Sequence, residues 1–540
     1  MGACPAPDRR RRPDSRSRGA VAVTEQRERE LKLSIRAADL SRLGRMPALR
    51  HFRPGRAVTR RLRSIYYDTP RLDLWQQGVF LRVRQVGQRR LQTIKSDARK
   101  GGGFVDAREW ERELRSDAPD LSWLPDGRIA QVFAPDDVRH GLAPAFETEV
   151  RRTVRELRTP TGAIIELAID AGEIRAGGGT AEVCEAELEL KAGEPAALFE
   201  VAEALSQELP LRLSLATKAE RGFALLTHAG PSAQRARVPA LAPTMSAEQG
   251  FAAIVENCLE HALANEAVLL AGTDIEGVHQ MRVALRRLRS AITAFRAQVD
   301  GAATRAVEQE LRWIAGVLGP ARNADVFEAG VLPPVGAAIG EDARFAWFAG
   351  EARELRQRHG RAAIEAVGSA RYSQGMLRLG AWLAGRQWRD GATHKQLAAL
   401  ERPVPLLAAA LLRVRFKKVR KLGNRLAALD EAALHQLRIR VKRLRYCAEF
   451  FRALFPDGAP KAFAEDAAAL QDSLGYLNDK AAARSLVAEL RPRAAAQGRE
   501  ADLAWAAGAI AGWHAHEAQR CLRQTRKQWR RLKRRGAFWQ

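Results

Sequence analysis

Cysteine is scarce: five among 540 residues (Cys4, Cys184, Cys258, Cys447 and Cys521), odd in number, far apart and without a paired spacing. That argues against a disulfide framework and a zinc site, and a reducing, cytoplasmic location is expected. Long apolar runs are missing too. No stretch of about 18 consecutive apolar residues occurs, so no membrane span is expected. The first 24 residues carry six arginines and no apolar core, which fails the pattern of a secretory leader. They are expected to be a disordered basic arm, or a start assigned too far upstream. Negative charge is in short supply: 63 Asp and Glu against 89 Lys and Arg, a formal charge of +26. With 46% apolar residues the chain can bury real cores, and its length suits two to four domains at roughly 150 residues each.

The charge is unevenly placed. Divided at the turn-rich Pro231–Pro243, the chain holds +4 in residues 1–24, +3 in 25–230 (34 basic, 31 acidic) and +19 in 231–540 (49 basic, 30 acidic). The first half shows short alternating runs, such as LRSIYYDT, VFLRVRQV, AIIELAID and AEVCEAELEL, between Gly, Pro and Asp turns, which read as antiparallel strands. The second half is rich in Ala, Leu, Arg and Glu with helical periodicity. An α+β first domain and an all-α second one are expected.

Alternation also sorts the charges of the first half. Residues at i, i+2 and i+4 of a strand share a face, so Glu28, Glu30 and Lys32 face one way, as do Arg82 with Arg84 and Glu185 with Glu187 and Glu189. A half-exposed sheet is the plain alternative. Carboxylate clusters and Arg/Lys clusters on separate strands better suit a closed barrel holding a metal-bound polyanion, with hard oxygen ligands for Mg²⁺ or Mn²⁺ and cations for the phosphate oxygens.

These residues resemble the CYTH domain of the triphosphate tunnel metalloenzymes over about residues 25–230. The resemblance rests on Glu28-x-Glu30-x-Lys32, YYDTP (Tyr66–Pro70), LRVR, TIK ending at Lys95, REWE (Arg108–Glu111), FETEVRR ending at Arg152, IDAGEI with Asp170, the Glu185–Glu189 strand, and TKAERGF with Lys218 and Arg221. It implies an eight-stranded antiparallel tunnel barrel that hydrolyses inorganic triphosphate to pyrophosphate and phosphate with Mg²⁺ or Mn²⁺. By that resemblance Glu28, Glu30, Glu187 and Glu189 hold metal, with Glu185 and Asp170 as further ligands. Lys32, Arg82, Arg84, Lys95, Arg152 and Lys218 bind phosphates, and Glu28, Glu30, Lys32, Glu187 and Glu189 form the catalytic set. Thr217 stands where the family usually has Ser, keeping the hydroxyl.

Residues 231–540 contain a repeat. VHQMRVALRRLRSAITAF starts at Val278 and LHQLRIRVKRLRYCAEFF at Leu434, placing His279 and His435 156 residues apart; Leu318-Gly319 and Leu474-Gly475 keep the same offset. On a helical wheel His279, Arg282, Arg286, Arg287 and Arg289 fall within about 80° of one direction. His435, Arg438, Lys442, Arg443, Arg445 and Tyr446 form the equivalent side of the second copy. Neither stripe is read as having acidic i+4 partners, which favours a polyanion site over a solvated face. Two further basic segments are Arg413–Arg425, with seven basic residues, and Arg520–Gln540, with nine, neither holding an acid. The latter, with Trp529 and Trp539, reads as a tail able to touch nucleic acid or membrane.

This half resembles the CHAD domain over about residues 247–520, through HQMRVALRRLRS, LGPARNADVF, HQLRIRVKRLRY and LQDSLGYLND. The resemblance implies binding of inorganic polyphosphate, assigned to His279, Arg282, Arg286, Arg289, His435, Arg438, Lys442 and Arg445, and an association with polyphosphate granules. Asn323, Asp325, Asn478 and Asp479 are read as capping residues only. The expected order is a basic arm (1–24), the barrel (25–230), a linker (231–246), the duplicated bundle (247–520) and a basic tail (521–540). Alternatives are a non-catalytic polyphosphate-binding protein, or thiamine triphosphate hydrolysis or ATP cyclisation in the same tunnel. Nucleic-acid binding ranks low, because no aromatic platform, zinc finger or helix-turn-helix signature accompanies the stripes.

Overall fold

A computed structural model describes residues 24–125, 127–455 and 458–539. The expected basic arm, apart from Thr24, lies outside the described residues. Nine strands follow: β1 (Thr24–Ser34), β2 (Val58–Asp68), β3 (Phe80–Val86), β4 (Arg89–Gly101), β5 (Phe104–Leu114), β6 (Ala143–Arg158), β7 (Ile164–Ala176), β8 (Gly179–Ala192) and β9 (Arg212–Ser214). Neighbours run β5-β4-β3-β2-β6-β7-β8-β1, and a further β5–β1 pairing closes the first eight into an antiparallel barrel. The short β9 pairs with β1 where β5 leaves it, Lys32 opposite Ser214.

Register carries one parity around the whole ring. Glu30 faces Glu189 and Lys32 faces Glu187; Asp170 faces Glu185 and Arg152; Arg82 faces Tyr66 and Thr93; and Lys95 faces Glu109. The opposite parity of β1, β7 and β8 (Leu31, Leu33, Ile165, Leu167, Leu188) packs under α1 (Ala196–Ser206). Helix α2 (Lys218–Leu226) closes one barrel end. Its Phe223 stacks on Trp75 at 4.7 Å and meets Phe146 edge-on at 5.0 Å, while Phe146 stacks on Tyr66 at 4.5 Å. Gly222 is needed there: a Cβ would come 2.1 Å from the Phe146 ring.

The second half is helical throughout. Its longer helices are α3 (Ala247–Ala264), α4 (Ile275–Ala294), α5 (Ala302–Val326), α6 (Ala343–Gly368), α7 (Ala370–Ala384), α8 (Val404–Gly423), α9 (Glu431–Phe450), α10 (Ala459–Ala496) and α11 (Glu500–Arg535). Residues 520 and 521, the expected limit of the bundle, fall inside α11. Its Trp529 and Leu532 are buried, as is Trp539 beyond the helix, and Trp539 sits 5.6 Å from Phe416 and 5.3 Å from Phe463. The tryptophans of the expected tail are therefore core residues. Asn323 and Asp325 lie within α5, where Asp325 accepts from Arg356 at 3.0 Å rather than capping a helix end. The side chains of Asn478 and Asp479 lie outside the described residues.

Between the halves, residues 231–245 form neither helix nor strand but are pinned: the Gln234 amide donates to Asn265 Oδ1 at 2.9 Å, and Asn265 Nδ2 donates to the Gln234 carbonyl at 2.9 Å. One apolar core crosses the junction, joining Leu33, Phe199 and Leu213 to Phe251, Leu377 and Leu383. Glu266 is buried in the same region, with Tyr372 donating to it at 3.3 Å and the Arg212 guanidinium of β9 lying 3.8 Å away as an ion pair. Burial raises its carboxyl from 4.5 to about 7, against the pull of Arg212.

Because that folded-state value is raised, the unfolded chain loses the proton first. Stability therefore falls as pH rises from 4.5 to 7, by about 3 kcal/mol, and levels off above. Glu266→Gln is expected to raise the thermal midpoint above pH 7 and to converge on the parent near pH 4.5. A destabilised variant at pH 8 would contradict this.

Candidate functional site

The closed barrel gathers the charges that strand alternation had aligned. At its centre Glu187 of β8 accepts from Lys32 of β1, from Arg152 of β6, and from Lys218 of α2 at 2.9 Å. Lys218 also pairs with Glu185 and lies 2.6 Å from Asp170, which Arg152 grips in a two-pronged contact at 2.7 Å per bond. Lys218 is placed by local chemistry. Thr217 caps α2, accepting from the Glu220 amide at 3.1 Å while Glu220 accepts from the Thr217 amide at 2.9 Å, and so sets the first helical residue inside the barrel. The Thr217 hydroxyl thus has a structural task.

Electrostatics follows from this crowding. Burial alone would raise Glu187, but Lys218, Lys32 and Arg152 hold it well below the ordinary carboxylate range. Asp170 is lowered in the same way, burial being outweighed by Lys218 and Arg152. Burial would depress Lys32, and Glu187 and Glu30 more than reverse it. Glu30, 3.0 Å from Lys32, is instead raised, by burial and by Glu187 and Glu28.

Toward the other side of the tunnel, Lys95 bridges Glu28 and Glu109, the latter at 3.2 Å, and Arg82 reaches Glu109 at 3.2 Å. Burial would raise Glu28, yet Lys95 brings it to about 2. Arg84 is different. Its Nε donates to the Ser64 hydroxyl at 3.3 Å, and among the described residues no carboxylate lies within 4 Å. Burial, Arg82 and Arg152 push it down to about 10. Tyr66 and Glu109 offset them only in part, so this guanidinium is placed to receive an anion.

Three carboxylates, Asp170, Glu185 and Glu187, offer oxygen atoms within 4.8 Å of one another, and they are the only such group among the described residues. Hard oxygens at that separation fit Mg²⁺ or Mn²⁺, and the Lys218 ammonium already shows that a cation is at home among them. Glu28, Glu30 and Glu189 do not join this group. Glu30 connects to Glu187 through Lys32, Glu28 is engaged by Lys95, and Glu189 pairs with Lys191 at 2.6 Å. Sequence reading did not single out Glu109, which bridges Lys95 and Arg82. Its signal was the E-x-E-x-E alternation of Glu109, Glu111 and Glu113.

In the helical half the two stripes meet. Arg286 of α4 donates to the Tyr446 hydroxyl of α9 at 2.9 Å. Lys442 lies among Arg438, Arg286, Arg282 and Arg445; burial first and these neighbours next bring it down to about 7. Arg282 falls to about 10 through burial, Arg286 and Arg322, and His279 to about 4 through burial and Arg322. The repeated glycines have a matched cause: Arg282 crosses Gly319, its Nη1 3.2 Å from where a Cβ would stand, and Arg438 crosses Gly475 at 3.4 Å.

Three expectations change. Arg287 leaves the stripe: it is buried, 5.3 Å from the Phe450 ring, and donates to Asn257 at 3.1 Å. Tyr446 is likewise buried. Arg445 has an acidic i+4 partner after all, Glu449 at 3.0 Å. Arg289 is placed apart from the central group, depressed by burial and by Arg312, and His435 is exposed on α9.

The CYTH domain family matches residues 26–223 and the CHAD domain family residues 253–488. An inorganic triphosphatase of Haemophilus influenzae is 31% identical over 164 residues, 30% of this chain and 46% of that protein, so the chain spans about half the length of the curated relative it matches. Among solved structures, the CHAD domain from the plant Ricinus communis is 30% identical, covering 54% of this chain and 97% of the other, with a TM-score of 0.47. An adenylyl cyclase-like protein from Hippeastrum, described as having a dominant triphosphatase activity, is 23% identical, covering 37% and 95%, with a TM-score of 0.27.

Proposed function

Because the chain belongs to the CYTH family over its barrel and to the CHAD family over its helical half, we propose that it is a metal-dependent inorganic triphosphatase with an attached polyphosphate-binding module. The observation that carries the first part is Arg84, a tunnel guanidinium with cationic neighbours and no carboxylate partner among the described residues. Arg82, Lys95 and Arg152 converge on the same tunnel as further phosphate contacts. Asp170, Glu185 and Glu187 would hold a divalent ion, with Glu28, Glu30 and Glu189 completing the acidic side. Such an ion supplies charge neutralisation at phosphoryl oxygens and a more acidic water. The arginines and lysines hold the chain in line and stabilise charge on the departing phosphate.

The second part rests on the α4–α9 cleft, where Arg282, Arg286, Arg438 and Lys442 crowd together from the two repeats. Neutralising such a cluster suits a long, dense polyanion. Phosphate release measured from triphosphate, longer polyphosphates, ATP and thiamine triphosphate, with Mg²⁺, Mn²⁺ or chelator, tests the enzyme reading. Triphosphate is expected to be the best substrate, with no turnover in chelator. No metal-dependent turnover of any substrate would leave a polyphosphate-binding protein only. Preference for an organic triphosphate would move the assignment within the same tunnel.

A further inference from the structure

We propose that α8 and the C-terminal part of α11 form a docking face for an anionic lipid bilayer, separate from the basic cleft. The two basic segments that looked independent in sequence are seated against each other. The Gly423 backbone lies under the Trp529 ring, where a Cβ would come within 2.6 Å, and Phe416 meets Trp539 at 5.6 Å. This packing turns the basic side chains outward: Arg413, Lys417 and Lys421 along α8, and Arg523, Arg530 and Arg534 along α11, are all exposed. Among the described residues none of these six has a carboxylate within 4 Å, whereas the nearby Arg531 and Arg535 are paired with Asp466.

Charge alone would suit any polyanion. Two further observations choose the bilayer. Leu406 is 67% exposed and Val414 50%, two of the four large apolar side chains left exposed among the described residues, and both ride on the outward side of α8. Aliphatic side chains beside lysines gain where an apolar phase lies beneath a charged surface, and gain nothing from a phosphodiester backbone. The aromatic rings of both segments, Phe416, Trp529 and Trp539, point into the core and are not offered to bases for stacking. The cleft residues lie on α4 and α9, so the face and the cleft are built from different helices.

The test uses the full chain and sedimented vesicles of phosphatidylcholine, alone or with about 30% phosphatidylglycerol, at about 0.15 M salt. Binding is expected only to the anionic vesicles. Leu406→Ser/Val414→Ser should weaken it at least about fivefold, and Lys417→Glu/Lys421→Glu should abolish it. Both pairs are exposed, and each variant should keep parental triphosphate hydrolysis and helix content. Arg286→Glu/Lys442→Glu, in the cleft, should bind vesicles as the parent does. The proposal is overturned if anionic vesicles are not bound, if the aliphatic pair makes no difference, or if the cleft variant loses binding. It is equally overturned if duplex DNA binds more tightly than the vesicles and needs Lys417 and Lys421 but neither Leu406 nor Val414.

Discussion

Glu187→Gln is expected to reduce metal-dependent phosphate release from triphosphate by about 10²–10³-fold and to lower folding stability by about 3–5 kcal/mol. Both effects come from one arrangement. The carboxylate accepts from Lys32, Arg152 and Lys218 and is one of the three that can hold a divalent ion. Replacing it with an amide leaves buried cations short of a counter-charge, which costs stability, and removes a hard ligand, which costs rate. Denaturant titration and rates taken well below the thermal midpoint separate the two. A folded variant that turns over at the parental rate would refute the assignment of Glu187. The acid side of the rate profile should report Glu30 before Glu187, since Glu30 is raised and Glu187 strongly lowered, so Glu30 protonates first as pH falls.

Polyphosphate affinity is expected to fall by about tenfold per pH unit above pH 7, or about 100-fold from pH 7 to 9. The sign follows from Lys442, at about 7 in the free protein. Phosphate oxygens beside the ammonium raise its pKa toward the ordinary lysine range, so binding above pH 7 takes up a proton. Affinity is fully present below 7, where Lys442 is already charged, and is lost as pH rises toward the bound-state value. His279, at about 4, stays neutral throughout and adds no slope. Calorimetry in two buffers of different ionisation enthalpy counts the proton directly. Lys442→Met should abolish the slope and reduce the salt dependence by about one phosphate contact. An equal affinity at pH 7 and pH 9 for the parent protein would refute the role of Lys442.

Strand alternation made the tunnel legible because side-chain direction in a β-strand depends only on parity. Once Glu28, Lys32, Arg84 and Glu187 are on strands, their common face follows. Helical periodicity was a weaker guide. It placed Arg287 with the stripe, since a wheel measures angle alone, yet the depth of α4 against Phe450 and Asn257 turns this residue inward. The two tryptophans of the tail illustrate the same limit. Trp529 and Trp539 sit among arginines in sequence, and only contact with Gly423, Phe416 and Phe463 makes them core.

By itself the sequence determined which charges share a strand face, that one basic helix occurs twice 156 residues apart, and that a strand-rich half precedes a helical one. Those are properties of local geometry and of repetition. Tertiary structure alone decided which carboxylate meets which cation: Glu187 with three cations, Glu109 with Lys95 and Arg82, and Arg84 with no carboxylate within 4 Å among the described residues. It also decided that the two stripes face each other and that a single apolar core crosses the junction between the halves. The reason is physical. Pairing energies and pKa shifts depend on distances of a few ångströms between residues far apart in the chain, and barrel closure and helix packing set those distances.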